Sequence, residues 1–296
     1  MNTELAFLYA ILKFCCGAVL FLAAALNNSR ATAQSQTSHS PEHNSPAIKT
    51  GYAPVNGLQL YYEIRGTGQP LVLLHGGGSS INTSFGQVLA VLAKTRMVVA
   101  FDQQGHGRTP DVDRPFSFQQ SADDAVALLH YLKIDKADFL GYSNGGHIAI
   151  QIALSHPESV RRLIIESAMV SREGSDASFW DSFHSAKLDT MPTELRQAYL
   201  AEAPHPENLQ SFFDKSVQRM LNFKGWSPDE IRSIQATTLV LLGDRDIVRP
   251  EHAVEMFRLL PHAQLAILPN TDHMQIVNRA GWTVPLVEAF LNAPAS

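Results

Sequence analysis

One serine in the sequence stands where its type and its neighbours could make it a nucleophile. The segment GYSNG at 141–145 matches the pattern G-x-S-x-G and lies between an apolar strand-like run, 137–142, and an apolar run of helical character, 145–156. A strand that turns at once into a helix leaves space only for very small residues beside the serine, and the strained turn exposes the hydroxyl. The pattern predicts that Ser143 is a nucleophile at the carboxyl end of a sheet, with the amide of Asn144 beside it at the helix start.

Two further side chains have the chemistry that a serine nucleophile requires. A serine hydroxyl reacts only when a base removes its proton and an acid orients that base. His273 is the candidate base, because the apolar run AQLAIL and the turn PNTD place it in a loop after a strand. Asp246 is the candidate acid, since it follows the apolar run TLVLLG, and the order serine, acid, histidine is typical of such a turn. Asp244 in the same loop and Glu166 at the end of another apolar run are alternatives for the acid.

A run of three glycines follows a further apolar segment, in LVLLHGGGSS at 71–80. The phosphate-binding patterns G-x-G-x-x-G and G-x-x-x-x-G-K-[ST] are both absent, because Ile81 occupies the third glycine position and no Gly-Lys pair follows. The backbone amides of a glycine loop can instead donate hydrogen bonds to the oxyanion of an acyl transfer. His75 is expected to pin this loop by hydrogen bonds, and His106 and His147 are interpreted as structural.

The elements that would hold these residues are predicted from hydrophobic patterning. From about residue 52, short β-branched apolar runs alternate with helical periodicity, which indicates a mostly parallel sheet flanked by helices. The first two strands are expected to form a hairpin whose turn is Gly66-Thr67-Gly68. Strands are expected near 57–64, 70–74, 96–101, 137–142, 161–167, 237–242 and 264–268, and helices near 84–94, 118–133, 145–156, 250–260 and 280–292.

The amino terminus has a different composition from the rest of the chain. An apolar run at 14–26 precedes the small-residue motif Ala31-Thr32-Ala33, which predicts a signal peptide over 1–33 and export to the periplasm or the medium. A retained membrane anchor is the alternative, because adding the upstream apolar residues lengthens the run to about 22 residues. Residues 34–51 are polar and rich in Ser and Pro, and they are expected to be a flexible leader.

Composition narrows the kind of protein and its partners. The chain has 296 residues, of which 45% are hydrophobic, and its formal net charge of -5 comes without basic runs. These values favour a globular domain that binds a small molecule, and they argue against nucleic acid as a partner. Both cysteines lie in the apolar run at 14–26, so the chain after residue 33 has neither a disulfide nor a reactive thiol. No metal, no cofactor and no membrane contact after signal cleavage are expected, and the oligomeric state is left open.

Several motifs in order resemble those of the α/β-hydrolase fold family, in its branch of single-domain serine hydrolases with a helical cap. The motifs are LVLLHGGG, FDQQGHGRT, GYSNGG, LVLLGDRDIV and LPNTDHM, and the resemblance covers about 52–292. It implies an α/β-hydrolase core over 52–170 and 236–296, with a helical cap over 171–235 inserted after the sixth strand.

The resemblance also implies roles for individual residues. Ser143 corresponds to the nucleophile, His273 to the general base and then acid, and Asp246 to the carboxylate that orients it. The amides of Gly77 and Asn144 correspond to the oxyanion hole that binds the substrate carbonyl. The sequence departs from the family at two places: glutamines stand at 103–104 where an arginine is common, and Asp272 precedes the histidine where a small residue is commoner.

The function expected from these residues is hydrolysis of a carboxylic ester through an acyl-enzyme, without a cofactor. Lactonase, amidase, aminopeptidase, perhydrolase and carbon-carbon hydrolase activities use similar machinery and are alternatives, and a non-catalytic ligand-binding protein is the alternative from another class. Epoxide hydrolase and dehalogenase relatives have Asp where this chain has Ser143. An aminopeptidase would need cap carboxylates to hold a free amine, and the candidates are Glu173, Glu194, Glu202 and Glu207.

Overall fold

The computed structural model describes residues 48–294, which form one eight-stranded sheet with helices on both faces. The predicted signal peptide and most of the predicted leader lie outside the described residues. The strand order is β1-β2-β4-β3-β5-β6-β7-β8. The strands are β1 Ile48–Val55, β2 Leu58–Arg65, β3 Pro70–Leu74, β4 Met97–Phe101, β5 Ala137–Tyr142, β6 Val160–Glu166, β7 Thr237–Arg245 and β8 Ala263–Asp272.

The sheet is parallel from β3 to β8, and only β1 and β2 run antiparallel to their neighbours. Parallel strands carry helices on both faces, so their sequences are apolar throughout rather than alternating. β5, for example, is buried at every position. The predicted α/β class with a mostly parallel sheet is confirmed, and all seven predicted strands begin within one residue of an observed strand.

The first hairpin differs from the prediction. β2 pairs antiparallel with β1 and β4, and it does not pair with β3, so the expected hairpin with a turn at Gly66-Thr67-Gly68 is wrong. The actual turn is Asn56-Gly57, whose φ angles of 48° and 81° are both positive. Two positive φ angles are what a tight two-residue hairpin requires, and Asn-Gly is the preferred pair for it.

β1 also corrects the extent of the predicted flexible leader. Residues 48–51 are in this strand and pair with 62–65, although the leader was expected to run to residue 51. The composition of the leader is polar, but cross-strand hydrogen bonds to β2 order its last residues. With β1 counted, the strand that precedes the predicted cap is the sixth.

Ten α-helices occur within residues 48–294. The predicted helix at 84–94 is two short helices instead, separated by a turn at 86–88. The helices are α1 Ile81–Phe85, α2 Leu89–Leu92, α3 Phe118–Tyr131, α4 Asn144–Ser155, α5 Ala177–His184, α6 Thr193–Glu202, α7 Leu209–Leu221, α8 Pro228–Ser233, α9 Pro250–Leu259 and α10 Ala280–Asn292. No helix in this part of the chain is long and apolar enough to cross a bilayer.

Two buried layers hold the helices on the sheet, and a third cluster belongs to the cap. One layer includes α3 and α4, and the other includes α1, α2 and α10. The cap is the run of helices between β6 and β7, as predicted, and its own cluster contains Tyr199 and Phe212 packed on Phe116 of the core. α8 lies within the range predicted for the cap, 171–235, but it contacts the core helices α4 and α9.

The hairpin turn provides a test of backbone strain. Gly57 has positive φ and no heavy atom within 4 Å of the position of an added Cβ, so Gly57→Ala adds strain without a clash. We expect this substitution to lower the free energy of unfolding by about 1–2 kcal/mol, measured by urea denaturation. Gly281→Ala is the matched control, because it also meets open space but lies in α10, where alanine is expected to stabilise the helix. Equal effects of the two substitutions would contradict this account of the turn.

Candidate active site

The turn between β5 and α4 holds Ser143 in a strained conformation. Its φ of 53° and ψ of -116° lie in a region that L-residues rarely adopt. The surrounding structure fixes this geometry, because the Ser143 amide donates to the Glu166 carbonyl at 2.8 Å and the Ser143 carbonyl accepts from the Gly146 amide at 2.8 Å. Such strain costs about 1–3 kcal/mol and persists only where neighbours over-determine it.

The two glycines of the GYSNG segment are required by close backbone contacts. A Cβ atom added at Gly141 would lie 2.1 Å from the Gly145 carbonyl oxygen. A Cβ atom added at Gly145 would lie 1.8 Å from the Leu74 carbonyl oxygen, at the end of β3. The helix that follows Ser143 therefore begins directly against the ends of the sheet, which is the arrangement that the sequence pattern predicts.

The structure brings together the three residues predicted to form a triad. His273 Nε2 lies 2.9 Å from Ser143 Oγ, and His273 Nδ1 lies 2.8 Å from Asp246 Oδ1. An ionised carboxylate only accepts hydrogen bonds, so Nδ1–H donates to Asp246 and the unprotonated Nε2 accepts from the serine hydroxyl. This is the arrangement in which a histidine can remove the proton of a serine.

Asp246 is buried and ionised in this arrangement. Burial by itself would raise the pKa of Asp246, but the hydrogen bond and charge of His273 and the hydrogen bond of Ser167 outweigh it and lower the pKa below its usual value. Ser167 donates its hydroxyl to Oδ2 at 2.6 Å, and the Val248 amide donates to Oδ1 at 3.1 Å. These donors fix both carboxylate oxygens.

The two alternative acids lie elsewhere. Asp244 is exposed and accepts a hydrogen bond from the Thr271 amide at 3.1 Å. Glu166 is buried at the end of β6, where burial and the nearby Asp246 charge raise its pKa to about 8. Asp272 does not compete for the histidine, since its carboxylate accepts hydrogen bonds from the amides of Met274 and Gln275.

Two residues that support the triad were not predicted from the sequence. The Tyr142 hydroxyl donates to the His273 carbonyl at 2.8 Å and so anchors the loop that carries the histidine. Ser167 holds the second oxygen of Asp246. Tyr142 directly precedes Ser143 in sequence, and Ser167 directly follows β6. The residues that their hydroxyl groups contact are more than 70 positions away in sequence.

The glycine loop is held by His75 and Gln103, as expected for the histidine. The Gln103 amide donates to His75 Nε2 at 3.0 Å, and His75 Nδ1 donates to the Gly76 carbonyl at 2.8 Å. Burial lowers the pKa of His75 to about 4, so the ring is neutral and can accept at Nε2. The side chain of Gln103, at a position where the family often has an arginine, donates to the His75 carbonyl and accepts from the Asn144 side chain at 2.8 Å.

The two predicted oxyanion donors are neighbours. A Cβ atom added at Gly77 would lie 3.5 Å from Asn144 Cβ, so the glycine loop runs directly past the first residue of α4. The first amides of a helix have no intrahelical acceptor, and the helix dipole adds positive potential at that end. Gly77, Asn144 and Ser143 all line the same cavity.

This cavity has a volume of about 590 Å³ and lies between the sheet and the cap. Apolar side chains from α5 and α7 supply much of its wall, and His273 is at its floor with Ser143. Within the described residues, no aspartate or glutamate lines it. The cap residues in contact with it are Phe179, Ser182, Phe183, Ser185, Ala186, Thr190, Met191, Pro192, Leu195, Phe212, Phe213, Ser216, Val217, Arg219 and Met220.

Two charged or titratable side chains of the cavity were not predicted to be functional. Arg219 of α7 is 5% exposed, and burial lowers its pKa to about 9, so it is cationic at neutral pH. His147 of α4 was interpreted as structural, and it does stack on Phe118 and Trp226, but it also lines the cavity. Burial and the charge of Arg219 lower the pKa of His147 to about 3, so the ring is neutral.

A comparison with known proteins identifies the family. Residues 71–285 match the family described as the alpha/beta hydrolase family. The chain belongs to the alpha/beta hydrolase family. The resemblance inferred from the motifs is thereby confirmed, and the match extends from β3, across the cap, to α10.

Individual alpha/beta hydrolases support hydrolytic chemistry of the serine type. A 2-hydroxymuconate semialdehyde hydrolase from Pseudomonas sp. (strain CF600) is 30% identical over 260 residues, which cover 79% of this chain and 91% of that protein. A proline iminopeptidase from Lactiplantibacillus plantarum is 29% identical over 276 residues, covering 76% and 94%. The solved structure of a meta-cleavage product hydrolase from Pseudomonas fluorescens IP01 is 25% identical with a TM-score of 0.71, covering 82% and 97%. These alpha/beta hydrolases differ in the bond that their names imply, so they support hydrolysis and not a particular substrate.

The raised pKa of Glu166 predicts how stability depends on pH. Because the pKa is about 8 in the folded protein and near 4.3 in an unfolded chain, the folded state binds more protons between these values. The free energy of unfolding should therefore fall as pH rises through this window, by up to about 1.4 kcal/mol per pH unit from this group. Glu166→Gln removes the titration, so its unfolding free energy should fall less between pH 5 and pH 8, measured by denaturant titration.

Glu251→Gln is the control for this experiment, because Glu251 is exposed on α9 and the same change of charge should leave the pH profile of the wild-type protein in place. Parallel profiles for wild-type protein and Glu166→Gln would show that Glu166 does not titrate in this window.

Proposed function

We propose that this alpha/beta hydrolase cleaves carboxylic esters through Ser143, His273 and Asp246, with an acyl-enzyme intermediate. The observation that carries the proposal is the pair of contacts at His273, 2.9 Å to the serine hydroxyl and 2.8 Å to the buried carboxylate, at the floor of a cavity large enough for a small substrate.

Acylation follows from this geometry. His273 Nε2 takes the proton of Ser143 as Oγ forms a bond to the ester carbonyl carbon, and the carbonyl oxygen becomes an oxyanion. The amides of Gly77 and Asn144 would donate hydrogen bonds to that oxygen. The bond from carbon to the alcohol oxygen then breaks, and His273 returns its proton to the departing alcohol.

Deacylation reverses the roles with water in place of the alcohol. His273 takes a proton from water while the water oxygen attacks the acyl carbon, and the proton then returns to Ser143 as the acid leaves. Asp246 remains ionised throughout, and its charge stabilises the histidine cation that forms in each half of the reaction.

The cavity argues against the aminopeptidase alternative. A peptidase that acts on a free amino terminus needs a carboxylate to hold the ammonium group. None of the cap glutamates considered for that role lines the cavity as the structure describes it. The cation Arg219 lines it instead, and a cationic substrate would be repelled.

Loss of the nucleophile tests the function. We expect wild-type protein to hydrolyse 4-nitrophenyl butyrate, and Ser143→Ala to lower kcat at least about a thousandfold, because no oxygen remains to form the acyl-enzyme. Ser155→Ala, at the other end of α4, is the control, and the folded state of each variant is checked by circular dichroism. Turnover of prolyl 4-nitroanilide rather than the ester would refute ester hydrolysis, and full activity of Ser143→Ala would refute the nucleophile.

A matched pair of substitutions tests the acid. Asp246→Asn is expected to lower kcat/KM by about a thousandfold or more, since the amide cannot hold the required tautomer of the histidine. Asp244→Asn removes the same charge two residues away at an exposed position and should change kcat/KM only a few-fold. The two variants are compared at saturating and limiting ester. A larger loss of kcat/KM in Asp244→Asn than in Asp246→Asn would instead make Asp244 the acid that orients the histidine.

A further inference from the structure

Arg219 is a buried cation for which the described part of the chain provides no acceptor. Its guanidinium forms no ion pair or hydrogen bond within residues 48–294, and Nε is completely enclosed without a partner. The buried arginines at 96 and 162 differ, because the first pairs with Asp138 at 3.3 Å and the second donates to the Pro294 carbonyl at 3.1 Å.

An unpaired buried charge is costly unless something else compensates it. The guanidinium carbon lies 5.4 Å from the ring centroid of Phe116 and 5.7 Å from that of Phe118, so the two rings offset part of the cost. Aromatic faces satisfy none of the five N–H groups of the guanidinium. The remaining partner must come from within the cavity that Arg219 lines.

The charge of the cavity indicates which ligand this is. Among the described lining residues, Arg219 is the one with a permanent charge, and neither a lysine nor a carboxylate is present. A single uncompensated positive charge matches a ligand with one negative charge. A planar guanidinium pairs best with a planar carboxylate, through two parallel hydrogen bonds.

The position of Arg219 places this ligand group close to the reacting carbonyl. Arg219 Nη2 lies 3.7 Å from the position of a Cβ atom added at Gly77, the residue proposed to donate to the oxyanion. The same position is 3.5 Å from Asn144 Cβ. His147 of α4, the helix that begins at Asn144, also lines the cavity, and its ring is neutral.

We propose that Arg219 binds a carboxylate of the substrate, so that the substrate is an ester or lactone carrying a second, free carboxylate group. This inference rests on the proposed ester hydrolysis. The inference adds a substrate class to the proposed function: half-esters of dicarboxylic acids and lactones with a carboxylate side chain.

The kinetic test compares two esters that differ only in charge. We expect wild-type protein to favour 4-nitrophenyl hemiglutarate over its neutral methyl ester in kcat/KM. In Arg219→Met this ratio should fall about ten- to a hundredfold, the loss expected for one charge-assisted hydrogen-bonded pair. Arg219→Lys should retain part of the preference, because it keeps the charge and loses the planar fork.

Lys215→Met is the matched control, because it removes a positive charge one turn earlier on α7 from a side chain that pairs with Asp111 at 2.7 Å and does not line the cavity. It should preserve the ratio. If Arg219→Met slows both esters by the same factor, Arg219 acts on the reaction or the fold and the proposal is overturned. Arg219→Met is also expected to unfold at a temperature no lower than wild type, since it removes an unpaired buried charge.

A binding experiment separates this inference from the proposed function. Ser143→Ala protein is titrated by calorimetry with monomethyl glutarate, and dimethyl glutarate is the neutral control ligand. Binding of the anion by Ser143→Ala and its loss in the variant that also carries Arg219→Met support a carboxylate site at Arg219, and failure of the wild-type protein to hydrolyse any ester would then refute the proposed function alone. Absence of anion binding by both the Ser143→Ala protein and the double variant, or equal binding of the neutral diester and the anion, overturns the proposal.

Discussion

The close contact of α4 with the ends of β3 and β5 determines where the nucleophile and one of the proposed oxyanion donors lie. Gly145 sits so near the Leu74 carbonyl that any side chain would collide with it, and the helix begins directly after Ser143. One backbone contact thus sets the strained serine, the direction of its hydroxyl and the position of the Asn144 amide beside the glycine loop. The strain is tolerated because hydrogen bonds from β6 and α4 fix the same residue from both sides.

Burial then gives neighbouring ionisable groups different charge states. Asp246 remains ionised because it accepts hydrogen bonds from His273 and Ser167, whereas burial and the charge of Asp246 keep Glu166 protonated at neutral pH. Two carboxyl groups at adjacent strand ends therefore have different roles. Asp246 is ionised and orients the base, whereas Glu166 is neutral and buried. Such a division by environment is common where acid and base chemistry operates at a single pH.

The cap and the sheet contribute different parts of the site. The strand ends hold the serine, the acid and the histidine, while α5 and α7 supply much of the cavity wall and, among the described lining residues, the permanently charged Arg219. The enzymes to which the chain is similar have different named substrates, and one fold can carry different functions. In this chain the cap contributes apolar side chains and the cation Arg219 to the cavity.

The sequence by itself determined the class of the fold, the first residue of almost every core strand to within one position, and the pairing of Ser143 with His273, with Asp246 as the first of three candidate acids. These follow from local signals, since strand periodicity, a turn that admits only glycine and a polar residue after an apolar run are all read from adjacent residues. Tertiary structure alone decided that β2 pairs with β1, that Ser167 and Tyr142 support the triad, that Asp246 rather than Asp244 faces the histidine, and that Arg219 lies unpaired beside the glycine loop. Each of these depends on contacts between residues far apart in sequence, and no local pattern records which distant backbone or side chain will complete them.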